Sequence, residues 1–419
     1  MSSPTPFTYK NSELYCEQVL LAKIAETVDT PFYVYSKNTI ADNVKAFQKA
    51  FKDVPHLIAF STKANSNLSV LNTVIQNGGG LDIVSSGELY RGLKAGVDPK
   101  KVVYSGVGKK ASEIEYAIKT GILMLNVESA EELEKINEIA ERLHLKAPVA
   151  LRVNPDVDPK THPYISTGMK KAKFGIPVQE ALRLYGEAAR MKGLKVVGVD
   201  CHIGSQLTDT QPFVDAMKRI RGVVEELRSR NIEITHLDIG GGLGIQYKDE
   251  KPPSIEEYAA AILDVLKDIG CTLVLEPGRR IVGKAGALIT QVIYNKHGEA
   301  KDFVILDAAM NDLIRPSLYE AWHEIIPVKE SKPEKKAVDI VGPVCESGDC
   351  FAHDRKFPKV APGDLVAILD AGAYGFTMAS NYNTRARPAE VMVSGEKFIT
   401  VRKRETLEDM IRGESISMF

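Results

Sequence analysis

Eight short apolar runs of β character, one opening at Ile58 and the others at 81–84, 102–104, 123–127, 149–153, 196–201, 237–239 and 272–275, alternate with amphipathic stretches such as 129–143 and 255–269. A strand and then a helix, repeated eight times over about 250 residues, leaves two α/β architectures: a TIM-type (β/α)8 barrel or a doubly wound open sheet. The strand ends favour the first. In a barrel every loop that follows a strand opens on one face, so functional groups come from many strand ends at once. Here the ends read Lys63-Ala64-Asn65, Ser85-Ser86-Gly87-Glu88, Arg152-Val153-Asn154-Pro155, His202-Ile203-Gly204-Ser205, Gly240-Gly241-Gly242 and Glu276-Pro277-Gly278-Arg279.

Past Arg280 the pattern changes to β-rich pieces at 287–294, 303–306, 337–341, 365–369 and 391–393, separated by turn residues. A chain of 419 residues also exceeds what one core usually serves. The expectation is a barrel domain over 36–280 and a second, mostly antiparallel β domain built from 281–419 and 1–35, with an N-terminal strand completing it. A helix is predicted from Ser36, with Ile40, Val44 and Phe47 at helical spacing. The charge run at 329–336 reads as a solvated loop.

Lys plus Arg number 54 and Asp plus Glu 55, for a net charge of -1, so no general field draws nucleic acid or an anionic membrane. Residues 1–10 lack a basic segment leading into an apolar one, and no apolar run is long enough to span a bilayer. The expected location is the cytoplasm. Five scattered cysteines, Cys16, Cys201, Cys271, Cys345 and Cys350, fit a reducing compartment. Cys345 and Cys350 have no second pair or histidine cluster to complete a zinc site, so no metal is expected.

A lysine at a strand's end, followed by small and polar turn residues, is held rigidly and points into whatever lies above the strand, which is where an amine nucleophile belongs. Alone, Lys63 would be read as one more solvated lysine. Its company changes that. Gly240-Gly241-Gly242 follows the seventh strand, where barrels bind phosphate because glycine lets backbone N–H groups approach the oxygens; elsewhere the same triplet is a tight turn. Ser205 and the backbone of Gly278-Arg279 are further donors to the same anion. A phosphate beside a lysine amine points to pyridoxal phosphate, whose aldehyde forms a Schiff base with such an amine. Glu276 can hold a pyridine nitrogen protonated, or else pair with Arg279 or Arg280; His202 can stack on the ring face, or sit satisfied in the core.

On Lys63-Ala64-Asn65, His202-Ile203-Gly204-Ser205-Gln206, Gly240-Gly241-Gly242-Leu243-Gly244, Glu276-Pro277-Gly278-Arg279, Arg315-Pro316-Ser317-Leu318-Tyr319, Cys345-Glu346-Ser347-Gly348-Asp349 and Gly372-Ala373-Tyr374-Gly375, nearly the whole chain resembles the barrel-type pyridoxal-phosphate decarboxylases, and among them the branch that acts on meso-diaminopimelate. Ser61-Thr62 departs from the small-plus-aliphatic pair expected before the lysine. The resemblance implies Lys63 as the Schiff-base lysine, His202 as the stacking residue and Glu276 as the pyridine-nitrogen partner. Ser205, Gly241, Gly242, Pro277, Gly278, Arg279 and Tyr374 would surround the cofactor. Arg279, Arg315, Tyr319, Glu346 and Tyr374 would bind substrate, and a homodimer with shared active sites would bring Cys345 and Glu346 to the neighbouring subunit's site. The implied reaction releases CO2 and leaves L-lysine, with Cys345 returning a proton, since a thiol titrates near the working range.

Three alternatives differ in what they require. A decarboxylase of ornithine or arginine handles a substrate without a distal carboxylate, for which Arg315 with Glu346 is poorly suited; a racemase is expected to pair the ring nitrogen with arginine rather than Glu276. A non-catalytic pyridoxal-phosphate carrier needs neither a second domain nor the Cys345 loop.

Overall fold

The computed structural model describes residues 5–158, 173–330 and 335–418. They form two compact units, one of residues 41–246 and 250–281, the other of residues up to 40 together with 247–249 and those from 282 onward.

The first unit is a closed barrel. Its strands are β1 (His56–Ser61), β2 (Gly80–Ile83), β3 (Val102–Tyr104), β4 (Met124–Val127), β5 (Ala147–Asn154), β6 (Leu194–Asp200), β7 (His236–Asp238) and β8 (Thr272–Leu275). Each pairs in parallel with the next, and β8 pairs with β1. That last pairing excludes the open sheet. All eight runs read from the sequence fall on these strands to within a residue, and the strands are mostly buried because parallel strands covered by helices have no wet face. Ala59, Val103, Met124, Ala150, Val197 and Val274, from six different strands, pack as one cluster.

Helices connect the strands, and their starts are set by caps. Ser129 accepts from the Glu132 N–H ahead of Ala130–Arg142, and Ser254 forms a capping box with Glu257 ahead of Ile255–Leu266. The second of these stops three residues short of the apolar pattern, just before the left-handed Gly270. Lys37–Ala50 is the helix predicted from Ser36; its Ile40, Val44 and Phe47 are buried.

The second unit holds a nine-stranded sheet in which Gly286–His297 is central, paired with Phe32–Ser36, Asp302–Leu306 and Leu365–Ile368. Pairing is antiparallel except between Phe32–Ser36 and Ala389–Ser394 and between Asp302–Leu306 and Lys335–Val341. The five β-rich pieces expected past Arg280 all belong to it. Cys350–Pro358 and Lys397–Arg402 do too, and were unread because His353, Asp354 and Lys356 in the one and Lys397 and Arg402 in the other mask the alternation of edge strands.

The N-terminal strand expected to complete the β domain is the wholly buried Phe32–Ser36, which enters the large sheet; Phe7–Lys10, Glu13–Cys16 and Val19–Leu20 form a small sheet of their own. One expectation is corrected. Of the charge run read as a loop, 331–334 lie outside the described residues, and Lys335 and Lys336 open a strand. Phe7, Leu14, Leu21 and Ile24 pack with Phe32, Val34, Ile289 and Val391 in one core. Among the described residues no helix is long and apolar enough to cross a membrane.

A Cβ added at Gly80 would stand 2.1 Å from the Lys101 carbonyl oxygen, next to the Leu81–Val102 pairing of β2 with β3. Gly80→Ala is expected to lose roughly 2 kcal/mol or more of stability through overpacking. Gly186→Ala, inside the helix Val178–Ala188 where a Cβ meets nothing within 4 Å, is expected to gain about 0.5–1 kcal/mol. Calorimetry on the two single variants checks the opposite signs.

Candidate active site

Lys63 sits in a single 3-10 turn, Thr62–Ala64, directly after β1. Its Nζ lies 2.9 Å from Asp82 Oδ2; the lysine side chain is 37% exposed, whereas that of Asp82, on β2, is wholly buried. Ser61 Oγ, at the end of β1, is 2.9 Å from the same Asp82 oxygen and 2.9 Å from the Glu276 carbonyl oxygen. The ends of β1, β2 and β8 are thus tied together around one amine.

Glu276 follows β8 and is buried. Its Oε1 accepts from Ser105 Oγ at 3.1 Å; Ser105 in turn accepts from Asn126 Nδ2 at 3.1 Å, and Asn126 also donates to Asp238 Oδ2 at 3.1 Å. Carboxylate oxygens of Asp200, Asp238 and Glu276 all lie within 4.8 Å of one another. Arg152 on β5 stands beside this group, with its Nη1 2.7 Å from Glu128 Oε1. Burial, then the charges of Asp238, Asp82 and Asp200, pushes the Glu276 carboxyl well above the usual carboxylate range, opposed by Lys63. Asp200 is raised in the same way by burial and by Asp238, against the pull of Arg152. Burial pushes Asp238 up to about 7, although the Gly240 N–H and the Asn126 amide stabilise its charged form. Three carboxyls this close hold protons between them instead of three charges.

Such a cluster fits an aromatic nitrogen base: set against Glu276, the base would take the carboxyl proton and leave a carboxylate facing a ring cation. His202 suits a neutral stacking role. Its Nδ1 accepts from the Gly241 N–H at 3.1 Å, and loss of solvent, with Arg152 and Lys63 nearby, holds the imidazole pKa well below its ordinary value. The ring stays uncharged at neutral pH.

The glycine turn after β7 is required by packing. Gly240 and Gly242 have φ of 67° and 110°, and a Cβ at Gly241 would come within 2.1 Å of the Glu276 carbonyl oxygen. The turn packs against the loop after β8, with Gly240 and Gly241 buried and Gly242 half-buried. Arg279 Nη2 donates to Ser205 Oγ at 3.2 Å, bringing those two expected anion ligands together. The Pro277 carbonyl accepts from the Ser61 N–H at 3.2 Å, and a Cβ at Gly278 would stand 3.0 Å from the Cβ atoms of Ser61 and Ala64, so this loop packs directly on the Lys63 turn.

The remaining expected residues lie in the second unit. Arg315 is buried, donates to His323 Nε2 at 2.7 Å and stacks 4.6 Å over the Tyr247 ring. His323 uses its other nitrogen on the Leu369 carbonyl at 2.7 Å, so its ring is fixed as the tautomer that accepts from arginine. Tyr319 ends the short helix Arg315–Tyr319. Cys345 and Glu346 are both exposed on a loop whose organiser is Asp349, the acceptor for the Met310 and Val344 N–H groups at 2.7 and 2.8 Å. Tyr374 has a φ of 56°, a left-handed conformation that a bulky side chain seldom adopts. The chain there is pinned by Gly372, whose Cβ would meet the Val282 carbonyl at 1.9 Å.

Sequence reasoning missed Asp82, Ser105, Asn126, Asp200 and Asp238, and gave Arg152 no role. The signal was present: each is a lone polar residue in or just beyond an apolar run, as in Leu81-Asp82-Ile83 or Val199-Asp200-Cys201. In a strand buried on both faces such a residue needs a partner.

Residues 37–283 match the family described as pyridoxal-dependent decarboxylase, pyridoxal binding domain. The chain is 53% identical to the diaminopimelate decarboxylase of Pseudomonas aeruginosa over 98% of its own length and 99% of that protein, and 52% identical to that of Vibrio cholerae over 98% and 99%. Among solved structures, diaminopimelate decarboxylase from Helicobacter pylori complexed with L-lysine superposes with a TM-score of 0.91 at 45% identity, covering 94% of this chain and 98% of that one. The enzyme from M. jannaschii in complex with L-lysine gives 0.93 at 41%, covering 98% of each.

Because Asp238 is raised to about 7 in the folded chain, it costs stability as pH rises from about 4, where the unfolded carboxyl ionises, to about 7, and the penalty is constant above that. Asp238→Asn cannot ionise. In cofactor-free protein its melting temperature relative to wild type is therefore expected to improve steadily over pH 4 to 7 and then level off. A difference that does not change with pH would refute the shared-proton cluster.

Proposed function

The chain belongs to the diaminopimelate decarboxylases, within the pyridoxal-dependent decarboxylase family, and from that premise we propose that it converts meso-2,6-diaminopimelate to L-lysine and CO2, the last step of lysine biosynthesis, with Lys63, Glu276 and Cys345 as its reacting groups. The observation that carries the reading is that Lys63 and Glu276 leave neighbouring strands β1 and β8 at the same end of one barrel, joined through Ser61. We take 36–280 as the pyridoxal-phosphate-binding domain, with 1–35 and 281–419 as the β domain, and the cytoplasm as the site of the reaction.

When bound, pyridoxal phosphate supplies an aldehyde for an amine and a ring that accepts the electron pair left as CO2 departs. The chain's residues prepare for this. Lys63 offers its Nζ, drawn forward by Asp82. Glu276 holds a proton at the ring nitrogen, its burial among Asp82, Asp200 and Asp238 making that proton available. His202, uncharged, covers a ring face without repelling the cation. Ser205, Gly241, Gly242, Pro277, Gly278, Arg279 and Tyr374 surround the cofactor, with the glycine turn as the phosphate cradle.

For the substrate we assign Arg279, Arg315, Tyr319, Glu346 and Tyr374. The end of diaminopimelate that does not react carries a carboxylate and an ammonium, which arginine and glutamate complement. Arg315 is already oriented by His323 and Tyr247, so it loses little freedom on binding. Cys345, exposed on its loop, is the proton donor to the carbon left by CO2. We assign it to the neighbouring subunit's site in a homodimer.

Lys63→Ala is expected to lose both the visible absorption of the purified protein and CO2 release from meso-diaminopimelate; Glu276→Gln should retain the absorption but turn over at least about a hundredfold more slowly. Spectra and a CO2 assay on the two variants check this, and undiminished turnover in Glu276→Gln would leave that residue a structural role only.

Mixing inactive Lys63→Ala with inactive Cys345→Ala should restore about a quarter of wild-type activity under free subunit exchange, because half the dimers then carry one intact site of two. If heterodimers form, as mass spectrometry can establish, and the mixture stays inactive, Cys345 serves its own chain.

A further inference from the structure

The hydroxyl of Ser61 has no part in the chemistry described above, yet it lies between two of the groups that matter most. We propose that Ser61 is a positioning residue for Lys63: its hydroxyl shares the Asp82 carboxylate with the lysine nitrogen, and so limits how firmly that carboxylate holds the lysine as ammonium. This rests on the reading of Lys63 as the amine that takes the cofactor.

Three observations carry the proposal. Asp82 Oδ2 receives both Lys63 Nζ and Ser61 Oγ at 2.9 Å, while Asp82 Oδ1 is buried with no hydrogen-bond partner among the described residues. The whole charge of a buried carboxylate is therefore met at one oxygen by two donors, and removing either places more of it on the other. Ser61 also reaches the Glu276 carbonyl oxygen at 2.9 Å. A hydroxyl has one proton, so what it gives to that carbonyl it withholds from Asp82. Finally, the side chain is pinned: the Ser61 N–H donates to the Pro277 carbonyl at 3.2 Å, and its Cβ packs against Gly278. Ser61→Ala keeps the backbone bond and the Cβ and deletes only the donor.

Among the described residues, the charged and titratable groups facing Lys63 include Asp82 on β2, Glu88 on the helix Ser86–Ala95, His202 after β6 and Glu276 after β8. Ser61→Ala leaves all four in place. The Lys63 nitrogen must shed its extra proton before it adds to the aldehyde carbon with loss of water. A carboxylate deprived of the serine proton keeps that ammonium longer.

The test removes the cofactor from the full chain, returns pyridoxal phosphate, and follows the rate at which visible absorption grows against pH. In Ser61→Ala the midpoint of that profile is expected to rise by about one pH unit, so the rate below it falls about tenfold, as loss of one hydrogen bond to a buried charge implies. Ser61→Thr, which keeps a hydroxyl, should follow wild type. In an Asp82→Asn background, adding Ser61→Ala should produce no further shift. An unmoved midpoint in folded Ser61→Ala, or an equal shift with and without Asp82, overturns the proposal. If Ser61→Ala does not fold, Ser61→Cys, a weaker donor in the same place, must shift the profile upward by less, and an unshifted profile is equally fatal. Lys63→Ala serves as control: visible absorption there would defeat the reading of Lys63 itself, a result distinct from any of the serine outcomes.

Discussion

Four carboxyl groups, Asp82, Asp200, Asp238 and Glu276, are buried at the ends of four strands of one barrel, and how their charge is neutralised governs the rest of the site. Isolated buried carboxylates are too costly to retain. Here Lys63 and Arg152 supply positive charge, Ser61, Ser105 and Asn126 supply hydrogen bonds, and shared protons supply the remainder. The neutrality of His202 follows from its burial first and then from the same balance, since two cations already stand near it. A site built this way is preorganised for a cationic ring before any ligand arrives, because the dipoles and charges are fixed by the strands that carry them.

Much of this was legible beforehand. The eight-fold alternation carried the barrel because its period is long and repeated, and Lys63, His202, the glycine triplet and Glu276 stood out as chemistry at strand ends. What escaped were the groups that hold those residues. Asp82 and Asn126 sit in the middle of short apolar runs, where a pattern search discards a single polar position as noise. Only the closure of the barrel shows that Asn126 on β4 and Asp238 on β7, 112 residues apart in the chain, are hydrogen-bonded.

The second unit solves a different problem. Besides Arg315 and Tyr319 on their short helix, its expected site residues come from loops, each with its own fastening: Asp349 accepts two backbone N–H groups to shape the turn that carries Cys345 and Glu346, and Gly372 admits the Val282 carbonyl where no side chain would fit. The left-handed Tyr374 beside it is a strained residue held by surroundings that leave it no alternative, the kind of local strain that recurs at ligand-binding positions. Loops fastened in this way can present polar groups accurately without a strand beneath them.

The strand Phe32–Ser36 lies in the large sheet between Gly286–His297 and Ala389–Ser394, so its first neighbour in space is about 250 positions away in sequence. The barrel is therefore an insertion into the β unit, entered and left at two adjacent strands. During vectorial synthesis the barrel segment is complete before either partner of Phe32–Ser36 emerges, and that strand, wholly buried in the finished protein, waits unpaired through the production of the entire barrel. Folding the barrel first brings its two ends together and shortens the loop that sheet closure must otherwise bridge, so the order of translation turns a long-range pairing into a local one.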